Sequence, residues 1–480
     1  MRFKQGLAWT AGGQASFFIL QFVGSVIVAR LLSPYEMGVY GLAIAIVGVI
    51  NLIQSVGLGS YIVREPDLTA ERLATAFTIN AAISLGLTAI TAGLGAASTA
   101  VTSDVGVRGC LLVLALTPLL SIISIVPASM LEREGDFRVI AISNMVRSLM
   151  ASVLTVILAY RGWSYYSVAW GQVGASIVST LVVCILARRH LRWRVSLIQW
   201  RQISKFSTQM IAISGVNTLA ARVSDLLLGR FTGLTGLGLY NRASNVNNLF
   251  WENLHLVIGR NVFSELARIK REGQSLRSFY LTVSEMVTAF LWPVFTGLAV
   301  LAEPLIRLVY GNQWAAAAPA FALLALASVV NLSITMTWEV FVACGETGRQ
   351  ARIEFIRTGV GVVLFAIGCS ISLEAAAGAR VLETLFSMLI YRPHLERMTD
   401  TSLRDSGPIY LRSGLLTLLA VSPASLLMFY SGPNASHLPF TTMFVAVVIG
   451  VVLWIVGLFL MRHPIAEQVR GWLKSRRGFA

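Results

Sequence analysis

Arg222 and Asp225 stand three residues apart inside a stretch, 208–229, that is otherwise largely apolar. At that spacing two side chains share one face of a helix and can pair. A charge at the centre of a bilayer costs about 2.5–3.5 kcal/mol even on the lenient insertion scale, so an ionisable residue kept there is read first as functional. A guanidinium grips phosphate oxygens through two parallel hydrogen bonds, which suits Arg222 to an anionic group. Asp225 could hold it in place or accept a proton. A neutral structural pair is the competing reading.

A second constellation follows in 237–259. Asn241, Asn245, Asn248, Glu252 and His255 are separated by steps of 4, 3, 4 and 3, so all five lie on one helical face. Similar polar stripes run through neighbouring stretches. Gln14 and Gln21 lie in 7–28, Asn51 and Gln54 in 38–60, and Asn217 and Thr218 beside Arg222. Arg147 and Glu339 are weaker candidates. A polar face cannot point at lipid tails cheaply, so it must meet protein or a water-filled cavity. Interhelical hydrogen bonding, worth only about 0.6–2 kcal/mol per bond, is the alternative account of any single amide.

The elements that must position these residues are membrane helices. The chain has 480 residues, 56% of them hydrophobic and 13% charged. An ordinary globular domain carries about 25% charged residues. Roughly fourteen apolar stretches of about 20 residues follow one another, each long enough to cross a bilayer. Short loops leave no room for a folded soluble domain. The net charge of +15 is explained by topology, because cytoplasmic loops collect Lys and Arg. Placing both termini in the cytoplasm puts the basic segments 188–205, 260–277, 392–412 and 462–477 on the inner side. Nucleic acid is not an expected partner. Cys110, Cys184, Cys344 and Cys369 are scattered through apolar stretches, which suggests neither disulfides nor a metal site. No G-x-x-x-x-G-K-[ST], G-x-S-x-G or H-E-x-x-H occurs, so an ATP motor or a hydrolytic enzyme is not expected.

An internal repeat organises the helices. Residues 29–43 and 229–243 share R-x7-G-x-Y-x2-A at an offset of 200. Each copy joins one apolar stretch to the next, and six stretches separate the copies. An even number preserves orientation, so the halves are parallel repeats, a pattern of secondary transporters with the substrate site between the halves. The expected fold is therefore an all-α polytopic membrane protein of about 14 transmembrane helices. It comprises two parallel six-helix bundles around a central cavity, plus two C-terminal helices. The bundles fall at 1–205, with a basic linker, and 206–405; residues 406–480 add two helices and a basic tail. Spans 352–372 and 374–391 are the least certain to cross separately, because Glu374, Arg380 and Glu383 interrupt the second.

The stretch Val28 to Ala43 reads V-A-R-L-L-S-P-x-E-x-G-x-Y-x-L-A, and N-L-I-x-S-V-G-L-G follows at 51–59. Further on come Asp225-Leu226-Leu227-Leu228-Gly229-Arg230, Gly238-Leu239-Tyr240 and Leu308-Val309-Tyr310-Gly311-Asn312-Gln313-Trp314. Over most of residues 1–345 the chain resembles the polysaccharide-transporter, or Wzx-type, flippases of the multidrug/oligosaccharidyl-lipid/polysaccharide exporter superfamily. The resemblance implies a cationic cavity between two bundles in a bacterial inner membrane. It implies a substrate of undecaprenyl-pyrophosphate-linked oligosaccharide, flipped by alternating access for exopolysaccharide, capsule or O-antigen synthesis. Polyprenyl-linked sugar and membrane lipids are the implied partners, with a polysaccharide polymerase and a chain-length regulator downstream. No cofactor is implied. A proton or sodium gradient would drive the step, with Asp225 or Glu252 as the coupling carboxylate. A cation-coupled multidrug or small-solute antiporter of the same superfamily is the alternative.

Overall fold

The computed structural model describes residues 22–55, 58–97, 104–190, 194–198, 200–432, 438–461 and 463–464. The side chains of 53–55, 137, 190, 202, 205–217 and 252–261 are outside that description. The described residues are helical almost throughout. In chain order the first helices are α1 (Phe22–Leu31), α2 (Pro34–Ser55), α3 (Leu58–Arg64), α4 (Ala70–Ala96), α5 (Val105–Leu114) and α6 (Thr117–Arg133). Next come α7 (Phe137–Tyr160), α8 (Tyr166–Leu186), α9 (Trp200–Phe231), α10 (Gly233–Arg271), α11 (Arg277–Val300) and α12 (Ala302–Tyr310). The last are α13 (Ala318–Leu332), α14 (Thr337–Ala343), α15 (Thr347–Ile371), α16 (Leu373–Thr399), α17 (Leu403–Ser431) and α18 (Phe440–Leu460).

Among the described residues, 10 helical segments are long and apolar enough to cross a membrane. Three further helices, α9, α10 and α16, have 32, 39 and 27 residues. They exceed the roughly 20 residues that a bilayer requires but carry the charged and amide residues singled out above. The expected count of fourteen adds these three and the stretch 7–28, of which only the end is described. The weakest pair resolves into two full helices: α15 and α16 have 25 and 27 residues and meet at Ser372, whose side chain caps α16 through the Ala375 N–H. The fourth span is broken into α5 and α6 at Ala115–Leu116, just before Pro118.

Local chemistry explains the helix starts. Ser33 and Glu36 form a capping box around Pro34, the first helical residue of α2. The Ser33 N–H donates to Glu36 Oε2 at 2.7 Å and the Glu36 N–H donates to Ser33 Oγ at 3.3 Å. The S-P-x-E at 33–36 is thus a helix-start signal. Ser402 and Asp405 do the same for α17, Thr69 caps α4 and Asp104 caps α5.

The chain divides into two compact units, residues Met1–Gly238 and Leu239–Ala480. In the first, α7 lies along α8, α4 on α5 and α6, and α2 on α5 and α9. In the second, α15 lies along α16, α13 along α16, and α11 between α13 and α17. Trp454 of α18 donates its indole N–H to the Ala289 carbonyl at 2.9 Å, and Thr288 and Ser413 share a hydroxyl contact at 2.9 Å, fastening α11, α17 and α18 together.

The repeat has a direct structural expression inside the first unit. A Cβ on Gly38 would overlap the Leu234 carbonyl, and a Cβ on Gly238 would overlap the Pro34 carbonyl. Leu234 stands 200 positions after Pro34, as Gly238 does after Gly38. The two hairpin copies therefore touch reciprocally, residue i on j′ and i′ on j, which is the signature of a local two-fold relation. The helix α9 groups with the first unit through its own packing on α2, α3 and α4, although the sequence repeat places it at the head of the second copy.

Candidate functional site

In the first unit α2 and α9 run side by side, and their contact is built on glycines. Gly229 faces Leu42, and Gly48 faces the Arg222 side chain: a Cβ on Gly48 would sit 2.5 Å from Arg222 Nε and 2.9 Å from Cδ. Glycine at 48 is what lets the guanidinium lie across α2. Arg222 stands nine residues before the end of α9, about 14 Å along the helix axis, close to half of a 30 Å hydrocarbon core.

Arg222 Nη1 lies 3.4 Å from Asp225 Oδ2, with side chains 34% and 17% exposed. That is a long, weak bond, so Asp225 balances the charge without using up the guanidinium. Arg222 Nε is buried without a hydrogen-bond partner among the described residues. So is Asn51 Oδ1, one helical turn beyond Gly48 on the same face of α2. Buried polar atoms without partners are rare because each costs about 1–3 kcal/mol. An arginine with an unspent donor and a weakly held counter-ion is equipped to receive an oxyanion.

Gly48→Ala isolates this arrangement. Alanine raises helix propensity over glycine by about 0.8–1.0 kcal/mol, and the clashing atoms are the far end of a flexible side chain. The variant is expected to melt at or above the wild-type temperature while its transport rate falls about tenfold or more, because displaced ligand groups lose binding steeply. Thermal melting and transport measured on the same preparation check this.

In the second unit the amide row is partly described. Asn241 is half-buried and Asn245 and Asn248 are exposed, while Arg242, Ala243 and Val246 on the other face of α10 are buried. Among the described residues, Asn248 Nδ2 reaches only the Ser244 hydroxyl on its own helix, at 3.5 Å. The row is therefore turned away from the unit's interior, where amide glue would sit. Asn247, which the spacing did not single out, is the amide that bonds across helices, to Ser328 at 3.0 Å. In the first unit Thr218 and Arg147 are exposed, and the structure does not bring Arg147 to Arg222 by any contact described. Gln14 and Gln21, and the side chains of Gln54, Asn217, Glu252 and His255, lie outside the described residues.

A sequence model of polysaccharide biosynthesis proteins matches residues 27–319. The chain belongs to the polysaccharide biosynthesis protein family. It is 21% identical to an uncharacterized membrane protein in the cps region of Klebsiella pneumoniae, over 97% of this chain and 96% of that protein. It is 25% identical to the succinoglycan biosynthesis transport protein ExoT of Rhizobium meliloti (strain 1021), over 67% of this chain and 65% of that one. It is 23% identical to the lipopolysaccharide biosynthesis protein WzxC of Escherichia coli (strain K12), over 68% and 67%. Among solved structures, the lipid II flippase MurJ in an inward closed conformation superposes with a TM-score of 0.76 at 15% identity, covering 95% of this chain and 99% of that chain. An inward-facing multidrug resistance MATE transporter superposes with a TM-score of 0.59 at 16% identity, covering 81% and 96%. The fold is that of polytopic membrane transporters.

Within this polysaccharide biosynthesis protein, Asn51, Arg147, Arg222, Asp225 and the amide row all fall inside the matched region. Two groups escaped sequence reasoning. Arg242 is buried between the rings of Tyr310 and Trp314, with Cζ 4.9 Å from each centroid. Beyond the matched region, Glu354, Arg357, Arg380 and Glu383 form an ion-pair network between α15 and α16. Its signal was present: Glu354–Arg357 and Arg380–Glu383 repeat the i,i+3 spacing of Arg222–Asp225.

Proposed function

We propose that this protein is a flippase that moves polyprenyl-pyrophosphate-linked oligosaccharide from the inner to the outer leaflet of a bacterial inner membrane. Its product supplies exopolysaccharide, capsule or O-antigen assembly, handed on to a polymerase and a chain-length regulator. The observation that carries this reading is Arg222: a guanidinium at membrane depth, with a buried N–H that has no acceptor among the described residues, held over Gly48 by a long contact to Asp225. Pyrophosphate supplies acceptors to the part of the guanidinium that is open, the Arg222 side chain being 34% exposed. The exposed amides of Asn245 and Asn248, with half-buried Asn241 beside them, offer paired donors and acceptors to sugar hydroxyls. This amide surface favours oligosaccharide over a cationic drug, which asks for acidic and aromatic walls. Family membership, the transport name of ExoT and the lipopolysaccharide biosynthesis name of WzxC support the same reading.

Transport proceeds by alternating exposure of the site to the two leaflets, driven by a proton or sodium gradient. Both termini lie in the cytoplasm, as the distribution of basic loops requires. In a deletion strain, surface polymer is expected to vanish while the lipid-linked repeat unit accumulates inside. Normal surface polymer together with hypersensitivity to cationic dyes would replace this reading with that of a drug antiporter.

A further inference from the structure

The charges of α15 and α16 are not merely balanced; they are arranged as a grip. Arg357 and Glu383 each stand ten residues into their helices, about 15 Å along the axis and so near the middle of a 30 Å core. Glu383 Oε1 accepts from Arg357 Nη1 at 2.6 Å, and Oε2 accepts from Arg380 Nη1 at 2.7 Å. One carboxylate thus bridges two guanidiniums through separate oxygens, as a bound phosphate would.

The surroundings of the two arginines are already furnished. Arg357 is held from behind by Glu354 through two bonds, at 3.0 and 2.5 Å, and Tyr391 steadies Glu354 at 2.8 Å. Arg380 lies over the Phe365 ring at 4.2 Å and donates to the Tyr240 hydroxyl at 3.4 Å. These contacts fix both forks without Glu383. The arginine side chains are each 26% exposed, whereas that of Glu383 is 8% exposed. Gly361 makes room for the Glu383 carboxylate: a Cβ there would lie 2.5 Å from its Cδ. Two rigid donors are therefore reachable, and the acceptor between them sits at the end of a flexible chain.

A network built only for stability has a weak rationale. Buried ion pairs commonly contribute no more than well-packed apolar residues of similar volume. We propose that Arg357 and Arg380 are a phosphate-binding pair in the second unit, and that Glu383 occupies it as an internal stand-in for the ligand. With Glu354 and Glu383 in place the cluster is neutral. It therefore offers a phosphate group two donors only when the Glu383 carboxylate leaves its place over Gly361. This assignment rests on the pyrophosphate-linked substrate proposed above and gives the second unit a phosphate-binding pair of its own.

The test uses the full-length protein in phosphatidylcholine nanodiscs. Melting is followed with inorganic pyrophosphate, with farnesyl pyrophosphate, or in nanodiscs containing phosphatidylglycerol. The variants are Glu383→Gln, Gly361→Ala, which moves the carboxylate while keeping every charge, and Glu383→Gln combined with Arg380→Gln. Glu383→Gln is expected to melt below wild type and to recover on adding a pyrophosphate, with an apparent affinity about tenfold or more above wild type. Gly361→Ala should show the same gain, and removing Arg380 should erase it. Recovery with inorganic pyrophosphate identifies the phosphate group itself as the ligand, and recovery with farnesyl pyrophosphate alone identifies a lipid-linked one. The inference is overturned if neither variant responds more than wild type, if the gain survives loss of Arg380, or if only phosphatidylglycerol produces it. Arg222 is intact throughout, so a negative result leaves the flippase reading standing.

Discussion

Arg222→Ala is expected to reduce export of surface polymer about 10- to 100-fold, the loss of one charge-assisted hydrogen bond worth about 1.5–3 kcal/mol. The single variant also deprives Asp225 of its neighbouring cation, and removing one partner of a part-buried pair destabilises in its own right. Arg222→Ala combined with Asp225→Ala separates the two effects. The double variant is expected to recover melting temperature and membrane abundance but not export. Arg222→Lys keeps a charge but not the planar fork, and is expected to export at an intermediate rate. Complementation of a deletion strain, scored by surface polymer and by accumulated lipid-linked repeat unit, reads all three. Full export by the double variant would show the pair to be structural.

Gly38→Ala and Gly238→Ala should have the largest effects on folding. At both positions the new methyl meets a backbone carbonyl rather than a movable side chain, Leu234 O in one case and Pro34 O in the other. Overpacking of this kind costs about 1–3 kcal/mol or more, and here the hairpin backbones themselves must part. The related positions should show similar losses, because the contacts are reciprocal. Gly86→Ala, on α4 with open space at its Cβ, is the control and should match or exceed wild type. Melting of the purified variants measures this. If Gly38→Ala melted within about 2 °C of the control, the close hairpin contact would be wrong.

Much of the architecture was legible because hydrophobic length is a strong signal. The helices meet the expected spans to within a few residues over much of 34–460, with larger offsets at helix ends such as those of α10 and α17. The S-P-x-E motif proved to be a capping box. The R-x7-G-x-Y repeat marked the positions where Gly38 and Gly238 approach the opposite backbone. Arg222 and Asp225 were readable because their pairing is local, three residues apart on one helix. What stayed hidden is tertiary. Glu383 and Arg380 looked like interruptions of a weak span, since only the packing of α15 on α16 shows Arg357 completing them. The room that Gly48 and Gly361 leave for charged side chains has no sequence signature, because a glycine in an apolar helix reads the same whether it faces a guanidinium or nothing. Arg242 is stabilised by Tyr310 and Trp314 from a distant segment, which no periodicity within α10 discloses.

Movement of a pyrophosphate-linked oligosaccharide across a bilayer can be followed directly. The test is the purified protein in proteoliposomes containing a fluorescent polyprenyl-pyrophosphate oligosaccharide, with a membrane-impermeant quencher added outside. Wild-type protein is expected to bring the inner-leaflet pool within reach of the quencher many times faster than protein-free vesicles do, and the Arg222→Ala, Asp225→Ala double variant is expected to lose that acceleration. Equal rates in wild-type and protein-free vesicles, under both proton and sodium gradients, would contradict the account.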